Sequence, residues 1–347
     1  MRVTLQDIAA RYGVTKTTVS MALRNSRQVS PSRRQEIQQL ARDMGYTPDP
    51  FLNRLARYRR QKDVVREPGR IAWLNRWDPP QSLRSYKEFD YYFRAANEAA
   101  LHFGYQLEEF VWPAGESSKN VQRQLEKLGI LGLLIPAHPP AVDWGGFDWD
   151  KFSLIRFGMT VPWPDSNLVT ADHQRAVVMA MEKIHAYGYE RIGLILSSEH
   201  DRSMGGNFTG GYQWAQKLLK LRAIPLLDLP FRRSTEGVER YKRNLNSWMK
   251  KYQPDAILTH SGEVLRYFRE LGYRIPQDVA LAGTSVYDIP LDAGIDQHPK
   301  AIGRIAAEML IKQISLNEKG VPAKPCRILI ESRWQDGKSL PPKKPIS

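Results

Sequence analysis

Three short segments at the start of the chain carry apolar residues at helical spacing. The predicted helices run from a cap at Thr4 to Gly13, from a cap at Thr15, and from a cap at Ser30 to Gly45. Their inner faces carry the apolar residues Leu5, Ile8, Ala9, Val19, Ala22, Leu23, Ile37, Leu40 and Ala41. The pattern predicts a small three-helix domain in which a single glycine turns the chain between the first two helices.

The second of these helices differs from an ordinary core helix because its outer face is polar. Lys16, Thr17, Ser20 and Met21 point outward from its narrow apolar stripe. Two short helices joined by a tight glycine turn are typical of a helix-turn-helix, whose second helix enters the DNA major groove. A small solvated helical hairpin is the alternative interpretation. The placement of the caps and the charge described below favour the DNA-binding one.

From Arg70 onward, short apolar runs alternate with amphipathic helical stretches. The first are "RIAWL" before "DYYFRAANEAALHFGY" and "YQLEEFVW" before "SKNVQRQLEKLG", and the rhythm continues to "KAIGRIAAEMLIKQIS". Strands that alternate with helices form parallel sheets covered on both faces. Because residues 69–347 exceed one comfortable core, the pattern predicts two α/β lobes with a cleft between them.

The distribution of charge along the chain indicates the kind of molecule that its N-terminal part binds. The chain has 51 Lys and Arg residues against 37 Asp and Glu residues, a net charge of +14. Residues 1–66 hold 14 of the basic and 5 of the acidic residues, so this part carries +9 and the rest of the chain +5. A basic head on a nearly balanced body indicates a polyanionic partner. Because the head has no long amphipathic helix with Trp or Phe on its apolar face, nucleic acid is favoured over a membrane surface.

The sequence contains few other chemical signals. The single cysteine, Cys326, excludes a disulfide framework and a cysteine metal site and fits a reducing cytosol. No apolar run of about 18 residues occurs, so we expect a cytoplasmic protein that is neither exported nor membrane-spanning.

Catalysis has no visible constellation of residues. The 7 histidines show no metal-ligand spacing, and no nucleophile or nucleotide-binding motif is present. The stretch "MGGNFTGG" (204–211) superficially resembles a phosphate cradle, but the Lys-Ser/Thr that would follow in a nucleotide-binding loop is missing. We therefore expect no enzyme activity, no metal and no cofactor.

The segment "VTLQDIAARYGVTKTTVSMALRNSRQVSPSRRQEIQQLARDMGYTPDP" resembles the head of the LacI/GalR family of bacterial transcription regulators nearly end to end. It includes the family's "TVS" in the recognition helix, the "VS" that opens the third helix and the closing Gly-Tyr-x-Pro. The resemblance implies that Lys16, Thr17 and Met21 read base edges. Family members commonly carry Arg where Met21 stands, and because Met offers only apolar contact we expect a different operator half-site.

Contacts to the DNA backbone are expected from a second set of residues, Thr4, Thr15, Thr18 and Ser20, whose short polar side chains suit phosphate better than base edges. The resemblance further implies a homodimer that binds a pseudo-palindromic operator in double-stranded DNA.

Residues 49–68 are predicted to form a linker that contains a short helix. Phe51, Leu52, Leu55 and Tyr58 recur at helical spacing among arginines, yet a helix of about two turns is too short to stand alone in water. The resemblance implies a hinge helix that folds on DNA beside that of its dimer partner, with Leu55 wedged into the central minor groove. An ordinary basic linker is the alternative.

The remainder is similar to the periplasmic-binding-protein-like effector domain of the same family. "GYERIGLI", "PDAILTH", "RIPQDVALAGTS" and "GIDQHPKAIGRIAAEML" stand where family landmarks stand. The resemblance implies that the chain crosses between the lobes three times. The expected division is a helix-turn-helix domain at 1–48, a hinge at 49–68 and an effector and dimerisation domain at 69–347. Within the last, we expect an N-lobe of about 69–168 plus 290–324 and a C-lobe of about 169–289 plus 325–347.

The predicted effector cleft departs from the family pattern at its charged positions. Sugar- and purine-binding members use an Arg where Phe208 stands and an Asn or Asp where His260, Ser261 and Gly262 stand. They use an Asp where Thr284 and Ser285 stand. Only Gln297 keeps the residue type. Either the cleft binds a different ligand or it has lost ligand control.

Tryptophans favour the first of these explanations, since their ring faces suit sugar rings. Those considered are Trp73, Trp77, Trp144, Trp149 and Trp163, with core packing as the alternative role for each. Beside them, Arg156 or Arg202 could flank the ligand.

The sequence therefore predicts a sequence-specific transcriptional regulator, a repressor, controlled by a small neutral ligand such as a carbohydrate. One alternative is a ligand-binding or catalytic α/β protein that its basic head merely localises on nucleic acid. Others are an activator and a regulator switched by protein contact instead of a ligand.

Overall fold

The computed structural model describes residues 3–23, 25–26, 28–46, 68–138, 142–229 and 235–343. Its first part is the predicted three-helix head, with α1 at Leu5–Tyr12, α2 at Lys16–Leu23 and α3 at Pro31–Asp43. The three helices share one core whose fully buried members are Ile8, Val19, Ala22 and Ile37. This is the apolar stripe that the helical spacing predicts.

The ends of these helices follow from their capping residues. Thr4 and Asp7 form a capping box, in which each side chain accepts from the backbone N–H of the other residue. Gly13 ends α1 in the left-handed conformation at φ 75°, where a side chain would be strained. Ser30 is the N-cap residue of α3 but makes no side-chain cap bond, and Pro31 occupies the first helical turn.

The body contains twelve strands in the residues that the structure describes. In chain order they are β1 (Gly69–Asn75), β2 (Tyr105–Val111), β3 (Ile130–Ile135), β4 (Ser153–Phe157), β5 (Asn167–Ala171), β6 (Ile192–Leu196), β7 (Leu227–Asp228), β8 (Ala256–Thr259), β9 (Ala280–Gly283), β10 (Gly294–Asp296), β11 (Arg327–Ile330) and β12 (Arg333–Gln335). The helices between them are α4 (Gln81–Ser85), α5 (Lys87–His102), α6 (Ser118–Lys127), α7 (His173–Ala186), α8 (Ser198–Ser203), α9 (Asn207–Leu218), α10 (Thr235–Tyr252), α11 (Glu263–Glu270) and α12 (Pro299–Leu316). A 3₁₀ turn lies at Trp149–Lys151.

These strands form two separate sheets of six strands each. The first has the order β11-β5-β4-β3-β1-β2 with every pair parallel, and the second has the order β12-β10-β9-β8-β6-β7. In the second sheet only β12 runs antiparallel to its neighbour. Helices cover both faces of each sheet, which explains why the central strands read as continuous apolar runs. The fold is the predicted helical head followed by a two-lobed α/β body.

The chain crosses between the sheets three times, and each crossing comes a few residues later than the boundaries predicted at 168, 289 and 324. β5 still belongs to the first sheet, β10 belongs to the second, and β11 returns to the first before β12 joins the second. The crossings therefore fall near 172, at 297–298 and at 331–332. Strands of three to five residues give too short an apolar pattern to reveal which sheet they pair with.

The predicted hinge helix, including Leu55, lies outside the described residues. Among the helices that are described, none combines the length and apolar character that a membrane span requires.

Candidate DNA interface and effector cleft

The outer face of α2 presents the predicted base-reading residues together. Lys16 and Thr17 are exposed at the start of the helix, and Met21 lies one turn further on the side of Thr17. Met21 is half-buried because its side chain leans on the core of the head. The face therefore offers one cation, one hydroxyl and one apolar group.

Two of the predicted phosphate-contact residues already serve as caps. The Thr4 hydroxyl donates to Asp7 Oδ2 at 2.7 Å and accepts from the Asp7 N–H at 3.3 Å. Thr15 Oγ1 accepts from the Thr18 N–H at 3.2 Å and lies 2.9 Å from Thr18 Oγ1. The hydrogen bonds from Thr4 lower the pKa of Asp7, so its carboxylate stays ionised at the positive end of α1. Ser20 lies half-buried on α2. Any contact of the Thr4 or Thr15 hydroxyl with a phosphate therefore has to be compatible with the hydrogen bonds that cap the helix.

A column of four aromatic rings lies at the carboxyl ends of the strands of the second lobe. His173 stacks on Phe208 with ring centroids 5.0 Å apart, Phe208 meets His260 at 5.2 Å, and His260 stacks on His200 at 4.7 Å. His173 follows β5 and begins α7, Phe208 begins α9, and His260 follows β8. Residues from four places in the sequence thus form one continuous wall, which we call the ring column.

The three imidazoles of the ring column are neutral at neutral pH. Burial lowers the pKa of His173 to about 4 and that of His260 to about 3, with mutual repulsion of the imidazolium forms as a further cause. The pKa of His200 is lowered as well, again chiefly by burial. His173 Nδ1 is buried without a hydrogen-bond partner, while Nε2 lies 3.4 Å from the Thr170 hydroxyl. Burial among other imidazoles disfavours each added charge, so the wall is polar but uncharged.

Asp201 fixes the place of Phe208 in this column. Its buried carboxylate accepts from the backbone N–H groups of Phe208 at 3.0 Å and Thr209 at 3.2 Å, the free donors at the start of α9. The anion position at this helix end is therefore taken by the chain's own acid. This finding argues further against a phosphate cradle at 204–211.

Thr284 holds two other predicted effector residues. Its hydroxyl lies 2.7 Å from His260 Nδ1, and its carbonyl accepts from Gln297 Nε2 at 2.9 Å. Gln297 is 3% exposed, so its amide is oriented by the loop after β9. Ser261 lies beside His260, where its hydroxyl accepts from the Glu263 N–H at 3.3 Å. Phe208, His260, Ser261 and Gln297 thus belong to the same end of the second lobe.

The Ser285 hydroxyl is already hydrogen-bonded to a residue of the opposite lobe. Its hydroxyl donates to Glu88 Oε1 at 2.5 Å, and Glu88 belongs to the first turn of α5 in the first lobe. Burial, with the nearby Asp288 and Asp296 carboxylates as further causes, raises the pKa of Glu88 to about 8, so that the carboxyl is largely protonated at neutral pH. Sequence reasoning assigned Ser285 to the effector cleft and did not include Glu88.

Most of the tryptophans do not line an open cleft. Trp73 is fully buried in the core of the first lobe against Phe93 and Phe157, which corrects its assignment as an effector contact. Trp77 is half-buried, and its ring N–H donates to the Ala137 carbonyl at 2.8 Å. The other members of the set divide into Trp144 and Trp149, which are buried in a second core cluster, and Trp163, which is 54% exposed.

The Arg156 side chain is also hydrogen-bonded within the first lobe. Its guanidinium donates to the Ser166 and Val161 carbonyls and pairs with Asp165, and its side chain is 6% exposed. It therefore cannot turn toward a ligand without breaking three bonds. Arg202 is exposed at the end of α8.

Sequence reasoning missed His173, His200, Asp201 and Glu88 as members of the site. Each stands at a strand end or in a first helical turn, but their sequence neighbourhoods resemble ordinary loops. A cluster built from elements so distant along the chain becomes visible only when the two sheets are assembled. The described residues also contain no group of three or more His, Cys, Asp or Glu side chains arranged to hold a metal ion.

Comparison with known families agrees with this arrangement. Residues 4–49 match the model described as "Bacterial regulatory proteins, lacI family", and residues 181–340 match "Periplasmic binding protein-like domain". The first match covers the helix-turn-helix, and the second covers most of the second lobe together with the last two crossings.

Similar proteins along the whole chain are regulators. The HTH-type transcriptional regulator KdgR of Bacillus subtilis (strain 168) is 25% identical over 92% of this chain and 93% of its own length. The HTH-type transcriptional regulator CelR of Thermobifida fusca is 26% identical over 95% of this chain and 96% of its own. These relatives are transcriptional regulators and not enzymes.

Solved structures share the fold. A "transcriptional regulator CelR-cellobiose complex" superposes with a TM-score of 0.61 at 20% identity, covering 97% of this chain and all of the other. A lac repressor dimer bound to operator and an anti-inducer superposes with a TM-score of 0.54 at 17% identity, covering 98% and 99%. Fold, head and similarity together define a DNA-binding transcriptional regulator with a two-lobed ligand-binding-protein-like body. The chain thus carries a lacI-family head at residues 4–49 and a periplasmic-binding-protein-like domain at residues 181–340.

Proposed function

We propose that this protein is a homodimeric repressor that binds a pseudo-palindromic operator and responds to a small neutral ligand, a carbohydrate, between its lobes. The observation that carries the proposal is the uncharged ring column, which agrees with the predicted loss of the family's charged cleft residues, together with a helix-turn-helix head. Lys16, Thr17 and Met21 are the proposed base-reading residues, and Leu55 is the proposed minor-groove wedge.

The dimer is supported by apolar side chains left exposed on both lobes. Leu101 and Phe103 lie at the end of α5, just before the outer strand β2, and are 59% and 39% exposed. Trp214 and Leu218 lie on α9, which precedes the outer strand β7, and are 56% and 49% exposed. Large apolar groups exposed in this way mark surfaces where a second protein binds. A second copy of the chain would cover the outer edges of both lobes.

The chemistry of the cleft supports a neutral ligand. The half-buried His200 and His260 offer neutral imidazole rings, which pack on Phe208, and Gln297 offers an amide. Sugar rings present alternating C–H faces and hydroxyl groups, which such a wall can stack against and hydrogen-bond. An anionic ligand would find the helix N-terminus at α9 already neutralised by Asp201.

A thermal-shift screen tests the ligand class directly. Neutral mono- and disaccharides are compared with sugar phosphates, purines and carboxylates, because a ligand that binds the native state raises the melting temperature by mass action. We expect stabilisation by a neutral sugar. Stabilisation by anions alone contradicts the proposal, and stabilisation by no small molecule favours a regulator controlled by protein contact.

Operator binding is tested after genomic footprinting has supplied the site. For a dimer on a palindrome we expect affinity to fall steeply with salt, with a log–log slope of about −0.9 for each phosphate neutralised. Leu55→Ala should weaken operator binding and reduce DNA bending while leaving ligand binding intact. A slope near zero, or equal binding of one half-site by a monomer, contradicts the palindromic mode. Whether reporter expression rises or falls with the protein separates a repressor from an activator.

A further inference from the structure

Glu88 and Ser285 form a hydrogen bond that bridges the two lobes. Ser285 Oγ accepts from the backbone N–H groups of Tyr287 at 3.2 Å and Asp288 at 3.4 Å, within its own lobe. These two bonds use the acceptor side of the hydroxyl, so its proton is directed to Glu88 Oε1 at 2.5 Å. The carboxyl of the first lobe thus lies at a position where the sequence predicted an effector contact.

A second contact joins the lobes beside the first. Asp288 of the second lobe accepts from the backbone N–H groups of Lys87 at 2.6 Å and Glu88 at 3.4 Å, which are free donors at the start of α5. A carboxylate at this helix end is also favoured by the helix dipole. The Tyr91 and Tyr287 rings meet edge to face at 5.1 Å on the same boundary. Helix α5 is therefore capped by the opposite lobe.

The bridge lies beside the second crossing between the lobes, where Asp296 accepts from the Tyr287 hydroxyl at 3.0 Å and Lys300 lies over the Tyr91 ring. All three crossings leave from the edge formed by β5 and β11 in the first sheet and by β10 and β12 in the second. Helix α5 packs along α12, which begins directly after the second crossing. The bond between Glu88 and Ser285 joins residues of different lobes, so it has to break when the two side chains separate and thereby opposes opening of the cleft.

We propose that Glu88 is a tethered occupant of the effector cleft, and that its hydrogen bond to Ser285 holds the lobes together without a diffusible ligand. This inference goes beyond the proposed function and does not depend on which effector binds. It makes the closed arrangement the resting state of the free protein.

Closure of the two lobes then depends on the protonation of the Glu88 carboxyl. The pKa of Glu88 is raised from 4.5 to about 8 in the closed arrangement, chiefly by burial. Opening returns the carboxyl to water, where it ionises, so closure weakens as the pH rises from 4.5 through 8. The titratable and charged groups around it are Asp288, Asp296 with its partner Arg333, Tyr92 and Lys87 on its own helix, and Lys300 over the Tyr91 ring.

The test measures the distance between the lobes in the free protein. Spin labels are placed on Lys119→Cys in the first lobe and Lys250→Cys in the second, both exposed, in a Cys326→Ser background. Labelled dimers are diluted with unlabelled chain so that only distances within one subunit are read. No effector is added, so a failed ligand screen leaves this measurement unaffected.

We expect one short distance at pH 7 and a longer component at pH 9, with the ratio of closed to open molecules falling about tenfold. Glu88→Gln keeps the acceptor without the charge and should stay closed at both pH values. Glu88→Ala removes the bridge and should open at both. Glu98→Gln, on an exposed turn of the same helix, is the matched control and should follow the wild type.

The proposal is overturned if the wild-type distances are the same at pH 7 and pH 9. It is equally overturned if Glu88→Gln opens with pH as the wild type does. Should Glu88→Ala fail to fold, the wild-type pH series and the isosteric Glu88→Gln variant still decide the outcome.

Discussion

Met21 lies where the outer face of α2 turns toward the core of the head. In the proposed DNA interface its half-buried side chain presents an apolar end, which can contact a thymine methyl group but cannot hydrogen-bond a base. Lys16 and Thr17, which are exposed beside it, are the proposed polar contacts. The proposed half-site contacts are therefore of three different kinds.

Met21→Arg should change which half-site is preferred. An Arg at this position can bond a guanine bidentately, which discriminates against the wrong base by about 1–3 kcal/mol. Selection from randomised half-sites, followed by competition binding, measures the change. Met21→Leu keeps an apolar group and should keep the original preference, and an unchanged selection by Met21→Arg would remove Met21 from the base-reading set.

Phe208 belongs to the core of the second lobe as much as to the ring column. It is 2% exposed and packs in the cluster that also holds Tyr212 and Met181. Phe208→Ala should therefore lower the free energy of unfolding by about 3–5 kcal/mol, as truncation of a buried phenylalanine does. Denaturation in urea measures this loss, and Phe208→Leu should lose clearly less. If Phe208→Ala unfolds at the wild-type midpoint, the residue is less tightly packed than the structure indicates.

At the scale of the elements, the sequence pattern predicted the helices of the head, whose ends depend on nearby residues. The spacing of Ile8, Val19 and Ile37 and the caps at Thr4 and Gly13 were sufficient for the head, because each helix end is set by residues within four positions of it. The ring column could not be predicted, since His173, His200 and His260 are far apart in the sequence and meet only when the helices of the second lobe pack on its sheet. The same limit explains Trp73, whose strand pattern fits both a core and a binding surface.

The capping box of α1 gives a test of this local control. Thr4→Ala removes the hydroxyl that exchanges hydrogen bonds with Asp7 and should cost about 1 kcal/mol at the helix start. Hydrogen exchange of the 4–12 segment in the full protein should then be faster by about fivefold. Thr4→Ser keeps the hydroxyl and should exchange nearly as slowly as the wild type. Equal exchange in Thr4→Ala and the wild type would show that the cap contributes little.

For the whole molecule, two buried groups give a pH dependence of opposite sign. Burial lowers the pKa of His173 from 6.5 to about 4, so the stability it contributes is complete above pH 6.5 and is lost as the pH falls toward 4. Burial raises the pKa of Glu88 to about 8, so its contribution is lost as the pH rises from 4.5 toward 8. Between pH 4.5 and 6.5 the contributions of His173 and Glu88 to stability change in opposite directions and therefore compensate.

His173→Asn should separate the two effects. The difference in free energy of unfolding between wild type and variant should change by about 1.4 kcal/mol for each pH unit between pH 6.5 and 5. Chemical denaturation across that range measures it, with His102→Asn, an exposed position, as the control. A constant difference would mean that His173 keeps an ordinary pKa in the native state.

The three crossings have a mechanical consequence for a molecule of this kind. They run side by side at one edge of both sheets, so one lobe cannot spin about the other as it could on a single strand of chain. The motion that remains is a hinge bending of one lobe relative to the other about that edge. Neither lobe corresponds to one unbroken stretch of sequence. A chain cut within 331–332 should therefore still form both lobes from its two pieces. The small C-terminal piece would be held by the pairing of β12 with β10 and by the ion pairs of Arg333 with Asp296 and of Lys343 with Asp255.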